Sequence, residues 1–219
     1  MNNEYVILLH GLGRFRQSMR RIEKHLKNLG YATINLAYPS TTKSIEMIAE
    51  THLERAVETC KASKAQKIHF VGHSLGGIIV RQYMQRHSVP NGSRLVMLAP
   101  PNQGSEIVDL LRHIIFYEWI IGPAGHEIGQ GPESIIRRLK PIGIEVGVIA
   151  GNRSMNPLFS MFLDGPDDGT VSVKNTMLPG MSDFIIVHST HTFIVRHPVV
   201  IRQVGHFLML GKFDRSMLE

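Results

Sequence analysis

The sequence is poor in the residues that staple, span or stack: one cysteine, one tryptophan and 7% aromatics in 219 residues. With Cys60 alone no intramolecular disulfide can form, which fits a reducing compartment. That thiol lies in a helix-like stretch, 44–62, and is expected to pack as a small apolar side chain. No apolar run approaches the roughly 18–20 residues of a membrane span, so stable membrane insertion is not expected. The opening MNNEYVILLHG has an acidic residue and no basic region before its short apolar run. It makes a poor signal peptide, and the cytoplasm is the expected location. The scarcity of aromatics also bears on charge. Lys plus Arg number 24 against 18 Asp plus Glu, with a cluster at Arg14, Arg16, Arg20, Arg21, Lys24 and Lys27. Only Phe15 lies near enough to stack on a base, so the cluster reads as a solvated helix face and no nucleic-acid partner is expected. A mild attraction to anionic surfaces, and transient contact with a lipid surface, stay open.

What is present is a regular alternation. Short apolar runs at 5–11, 32–38, 67–72, 94–100, 145–151 and 183–189 read as buried strands. Helical patterns separate them: 17–29 with Met19, Ile22, Leu26 and Leu29 on one face, 44–62 with Ile45, Ile48, Ala49, Ala56 and Cys60 inward, 75–87, and a last helix from Pro198. The pattern predicts an α/β protein with a doubly wound, mostly parallel six-stranded sheet covered on both faces. In such sheets functional residues gather beyond the carboxyl ends of the strands. There is no internal repeat, low-complexity tract or linker, so residues 1–219 are read as one domain. One insertion interrupts it, 102–143, longer than a simple crossover needs. Its segment SEIVDLLRHIIFYEWIIG predicts a helix with an unusually wide apolar face. Its first turns suit the core, and Phe116, Trp119 and Ile120 are candidates to line an apolar substrate pocket.

The stretch IHFVGHSLGG, residues 68–77, carries the chemistry. A strand that ends in Gly-x-Ser-x-Gly and turns directly into a helix forces its serine into a sparsely populated backbone conformation and projects the hydroxyl. Gly72 and Gly76 are small because neighbouring backbone would collide with a side chain there. The helix beginning at Leu75 aims free N–H groups and its positive dipole end at the same point. Such a turn presents a nucleophile and prepares to stabilise an oxyanion.

This stretch resembles the nucleophile elbow of the α/β-hydrolase superfamily, in the form carried by lipases and carboxylesterases. The resemblance implies Ser74 as nucleophile and the Leu75 backbone N–H as one oxyanion donor. It further implies a second donor, the Leu12 N–H, because the first strand ends in His10-Gly11-Leu12-Gly13, similar to the HG motif of lipases; His10 matches the family's structural histidine. In the chain order Ser, Asp, His, the acid falls in DGPDDGTVSV. Asp168-Gly169-Thr170-Val171 aligns with the family's Asp-Gly-x-Val, which favours Asp168 over Asp167; Asp164 and Asp167 have the ordinary reading of turn chemistry. For the base, the final loop offers His188, His191, His197 and His206. His191 lies where the family's histidine does, while His197 abuts the helix start and His206 sits inside the helix. Metal is not expected: no EF-hand spacing is present, and nothing nominates a third ligand beside His188 and His191. No cofactor is expected either.

The resemblance covers essentially the whole chain. Larger members begin with two strands ahead of the HG strand, so a minimal α/β-hydrolase fold with a reduced cap at 102–143 is expected. The implied function is hydrolysis of carboxylic acyl esters or lipids, as an esterase or lipase. A thioesterase, lysophospholipase or acyltransferase would use the same three residues. A non-catalytic binding module is disfavoured because Ser, His and Asp are all present. The sequence says nothing of oligomeric state.

Overall fold

A computed structural model of the protein describes residues 3–111, 117–132 and 134–218, without the side chains of residues 111 and 117–121. Six strands form one sheet: β1 (Glu4–Leu9), β2 (Ala32–Leu36), β3 (Lys67–His73), β4 (Arg94–Leu98), β5 (Glu145–Gly151) and β6 (Asp183–Val187), in the order β2-β1-β3-β4-β5-β6. All five pairings are parallel. The chain lays β2 on one side of β1 and then crosses to place β3 on the other. The ends of β1 and β3 therefore flank the point where the winding reverses, the position at which open parallel sheets hold their ligands.

The reason for two-sided cover is in the strands themselves. Along β1, Val6 and Leu8 enter one apolar cluster while Ile7 and Leu9 enter the other. One face is covered by α1 (Arg20–Asn28) and α9 (Pro198–Leu210), which contribute Ile22, Leu26, Val200, Val204 and Phe207. The other is covered by the 45–62 helix and by α4 (Leu75–Tyr83), contributing Ile45, Ile48, Val57, Cys60, Ile78 and Ile79. Cys60 is buried as expected, and burial pushes its thiol up to about 12. The predicted helix 44–62 is continuous but not uniform. It runs as α2 (Ile45–Ile48), a wider π turn over Ala49–Leu53, and α3 (Glu54–Ala62), so that Leu53 and Val57 also turn inward.

The 102–143 insertion is helical where it is described over the segment read as a helix. Its described residues include helix α5 (Glu106–Leu111) and helix α6 (Tyr117–His126), and α6 breaks at Gly122, whose φ of 61° precedes Pro123. Both ends of the insertion are tied to α4 by one buried guanidinium. Arg81 donates to the Asn102 carbonyl and Oδ1 at 3.3 and 3.0 Å and to the Leu139 carbonyl at 3.5 Å. Two short helices complete the carboxyl edge, α7 (Pro157–Ser160) and α8 (Val173–Thr176). Among the described residues no helix is long and apolar enough to cross a membrane.

One buried histidine makes the fold acid-sensitive. His69 on β3 is fully buried, accepts the Arg94 N–H on Nδ1 at 3.0 Å and faces the Glu4 carboxylate through Nε2 at 3.4 Å. Both ring nitrogens are used by the neutral form. Burial lowers its pKa to about 4, against 6.5 in the unfolded chain. Between those values the unfolded state binds the proton first, so stability is complete above pH 6.5 and falls as pH drops towards 4, by roughly 3 kcal/mol from this residue. Denaturant unfolding at pH 7 and pH 4.5 should show that loss. A His69 ring titrating near 6.5 by NMR in the folded protein would contradict it.

Candidate active site

Strand β3 runs one residue further than its sequence pattern predicts, so that His73 pairs with Leu98 and Ser74 is the first residue past the ladder. The Ser74 N–H donates to the Leu98 carbonyl at 2.8 Å, which anchors the turn to the next strand. Ser74 itself has φ 50° and ψ −119°, outside the regions open to ordinary residues, and α4 begins at the next position. The turn closes only because its flanks lack side chains. A Cβ at Gly72 would lie 2.4 Å from the Gly77 nitrogen, and one at Gly76 would lie 2.6 Å from the Leu9 carbonyl oxygen.

Two loops from distant parts of the chain meet this serine. His191 Nε2 is 3.1 Å from Ser74 Oγ, and His191 Nδ1 is 2.8 Å from Asp168 Oδ2. The Asp168 carboxylate is fully shielded from solvent, and its other oxygen accepts the Thr170 and Val171 N–H groups at 3.0 and 2.8 Å. The His191 N–H also donates to the Asp168 carbonyl at 2.9 Å, so backbone and side chain together staple the two loops. A buried carboxylate with three partners is thereby oriented, not free to rotate.

The neighbouring carboxylates are used elsewhere. Asp167 accepts the Ser160 hydroxyl at 3.0 Å and the Gly169 N–H at 2.7 Å; Asp164 pairs with Lys174 at 2.7 Å on the surface. The other histidines also lie apart. His188 is exposed against Asn152 Oδ1, His206 contacts the Lys212 carbonyl, and His197 enters α9 through its backbone carbonyl, which accepts from Ile201.

The HG loop lies against the elbow. His10 stacks on Tyr38 with 4.0 Å between ring centroids, and the Tyr38 hydroxyl donates to the His10 carbonyl. The Gly13 N–H donates to Ser40 Oγ at 3.1 Å. At Gly11 a Cβ would stand 2.9 Å from His73 Nδ1, which is why only glycine lets this loop approach. Neither the Leu12 nor the Leu75 N–H has an acceptor among the described residues. Leu12 and Ser74 line the same cavity, of about 200 Å³.

Sequence reasoning missed the partners that hold these loops, because the motif leaves the identity of the residue before the serine open. His73, the residue before the serine, is buried and carries its proton on Nε2, which donates to the His191 carbonyl at 3.0 Å. Burial, and then the nearby His191 ring, hold its pKa well below the usual histidine value, so it is neutral. The available signal was a polar residue directly after the apolar run 67–72. The candidate pocket residues fare differently. Phe116 lies outside the described residues, as do the side chains of Trp119 and Ile120. Among the described residues the apolar wall of the cavity comes from Leu12, Pro101, Ile107, Val108, Ile128 and Val171.

This fold and this edge of the sheet define an α/β-hydrolase of the lipase, esterase and thioesterase type. The family model of palmitoyl protein thioesterase matches residues 5–125, from β1 through α6. The chain belongs to the palmitoyl protein thioesterase family. No curated protein matches it. Among solved structures it is similar to the mature lipase BlEst2 of Bacillus licheniformis, with a TM-score of 0.76 and 19% identity over 94% of this chain and 91% of that one. It is also similar to the phospholipase PlaB of Legionella pneumophila, with a TM-score of 0.73 and 19% identity over 98% of this chain and 60% of that one. A third similar structure is the RedJ thioesterase of Streptomyces coelicolor, at 0.59 and 11% identity, over 94% and 85% of the two chains.

Proposed function

We propose that the protein is a serine hydrolase that cleaves acyl esters through Ser74, His191 and Asp168. The observation that carries this reading is the continuous relay from Ser74 Oγ through the His191 ring to the buried Asp168 carboxylate, opening on a cavity with an apolar wall. His191 takes the Ser74 proton as Oγ attacks the acyl carbon, and Asp168 orients the ring and stabilises its cationic form. The Leu12 and Leu75 N–H groups receive the oxyanion. His191 then returns the proton to the leaving oxygen, and a water deprotonated by the same ring releases the acid. The products are a carboxylic acid and an alcohol.

A second reading, a thioesterase, is favoured by the family match. The same groups serve it, with one chemical difference. A thiolate, conjugate to a thiol of pKa about 8.5, leaves without a proton, whereas an alkoxide needs His191 as acid. The test is hydrolysis of p-nitrophenyl esters of graded chain length beside S-acyl thioesters of the same acids. The expected result is turnover of at least one series, with the chain-length profile set by the apolar wall. No turnover of either series by folded protein would reject the proposal.

A further inference from the structure

The cavity at Ser74 is one of three adjoining hollows. It shares Arg14, His73 and Thr192 with a second of about 90 Å³, which shares Phe193 and Arg196 with a third of about 330 Å³ that also includes Arg153. The apolar residues Ile107, Val108 and Ile128 line only the first. The groove beyond it has apolar Phe193, Val195 and Met155 but adds a run of cations. Arg14, Arg196 and Arg153 succeed one another along it, and among the described residues no Asp or Glu lines any of the three hollows. Arg14 donates to Thr192 Oγ1 at 2.9 Å, and none of the three guanidinium groups makes an ion pair among the described residues. Elsewhere on the surface Arg86, Arg94 and Arg215 each have a carboxylate partner.

Direction along the groove follows from the chemistry. The group that returns a proton to the leaving atom is His191, so the leaving group lies on the His191 side of the acyl carbon. Thr192, Phe193 and Arg196 follow His191 in the chain and form that side. The acyl chain is left the apolar wall. We infer that the groove formed by Arg14, Arg196 and Arg153 binds a phosphate-bearing leaving group, so that the substrate is an acyl ester or thioester with phosphate on its alcohol or thiol side. Guanidinium is suited to this, since its planar fork gives two parallel N–H donors to phosphate oxygens. The inference rests on the proposed acyl hydrolysis for its direction, but the anion site stands on the arginines.

The test compares substrates with and without phosphate on the leaving group, and the arginine variants separate the phosphate from the rest of that group. For the thioester, octanoyl-coenzyme A is set against octanoyl-N-acetylcysteamine; for the ester, 1-acylglycerol 3-phosphate against 1-acylglycerol, below their aggregation limits. In at least one pair kcat/KM should be about tenfold higher for the phosphate-bearing member, a value discounted for the exposure of the groove. Preference in the first pair identifies a soluble nucleotide thioester, and in the second a lipid headgroup. The Arg153→Gln/Arg196→Gln double variant should bring the ratio to within about twofold of one. Arg55→Gln, which removes an exposed charge from α3 on another part of the molecule, should leave the ratio as it is. A binding arm separates the two readings. Inorganic pyrophosphate titrated calorimetrically into Ser74→Ala protein at low salt should bind, and the double variant should abolish that binding. Hydrolysis with equal rates in both pairs, or no arginine-dependent binding of pyrophosphate, overturns the inference. Arginine-dependent binding with no hydrolysis of any member upholds the anion site and rejects the hydrolase.

Discussion

Alanine in place of Ser74 is expected to lower kcat for acyl substrates by about a millionfold while the protein stays folded. The loss is that large because the three groups act as a unit: without Oγ, the His191 ring and the Asp168 carboxylate have nothing to activate. Folding is another matter. Ser74 Oγ has His191 as its hydrogen-bond partner among the described residues, and the backbone anchor to Leu98 does not involve the side chain. Alanine keeps the φ of 50° and with it the strain, so the denaturation midpoint should move little. Glycine at the same position would relieve that strain, worth on the order of 1–3 kcal/mol, partly offset by the added freedom of its unfolded chain. Ser74→Gly should therefore be as inactive as Ser74→Ala but at least as stable. Kinetics and denaturant unfolding of the two variants side by side check both statements. Activity in either variant within a thousandfold of wild type would remove Ser74 from the mechanism.

Asp168→Asn should cost about ten thousandfold in rate, and the reason lies in its unusual hydrogen bonding. One carboxylate oxygen is committed to the Thr170 and Val171 N–H groups, which only an oxygen can satisfy. An asparagine must therefore turn its NH₂ group towards His191 Nδ1. The ring then has to accept there and carry its proton on Nε2, the nitrogen that must receive the Ser74 proton. The geometry survives while the tautomer is wrong. Asp167→Asn makes the informative comparison. Its carboxylate bonds Ser160 and Gly169, so the substitution should cost about 1–2 kcal/mol of stability and leave the rate within a few-fold of wild type. Greater damage to rate at Asp167 than at Asp168 would show that the acid has been assigned to the wrong residue.

These adjacent aspartates show where sequence reading reaches its end. Asp167 and Asp168 have the same chemistry in the same Gly-rich turn, and a family-like Asp-Gly-x-Val pattern was the only preference between them. The fold separates them by the direction each side chain takes, Asp168 towards the His191 loop and Asp167 back towards Ser160. The same holds for the four histidines of the last 32 residues. His188 and His206 have local side-chain partners that no pattern announces and His197 meets Ile201 through its backbone carbonyl, whereas His191 is brought to Ser74 across 117 positions of sequence.

The strands and helices were legible because burial writes a period into the chain. Two-sided burial makes apolar runs of the strands, one-sided burial makes 3.6-residue stripes of the helices, and the glycines of the elbow mark a turn that tolerates no side chains. The insertion was less legible, since a continuous apolar stretch does not say where Gly122 and Pro123 will break it or what it will pack against. What the sequence by itself determined is thus the six-stranded alternation, its two apolar faces and the position of Ser74 at a strand-to-helix turn, all properties of neighbouring residues. Only the tertiary structure decided which aspartate and histidine meet that serine, that His73 holds the His191 loop, and that Arg14, Arg153 and Arg196 share one groove. Those choices depend on loops that are far apart in the chain and are brought together where the parallel strands end.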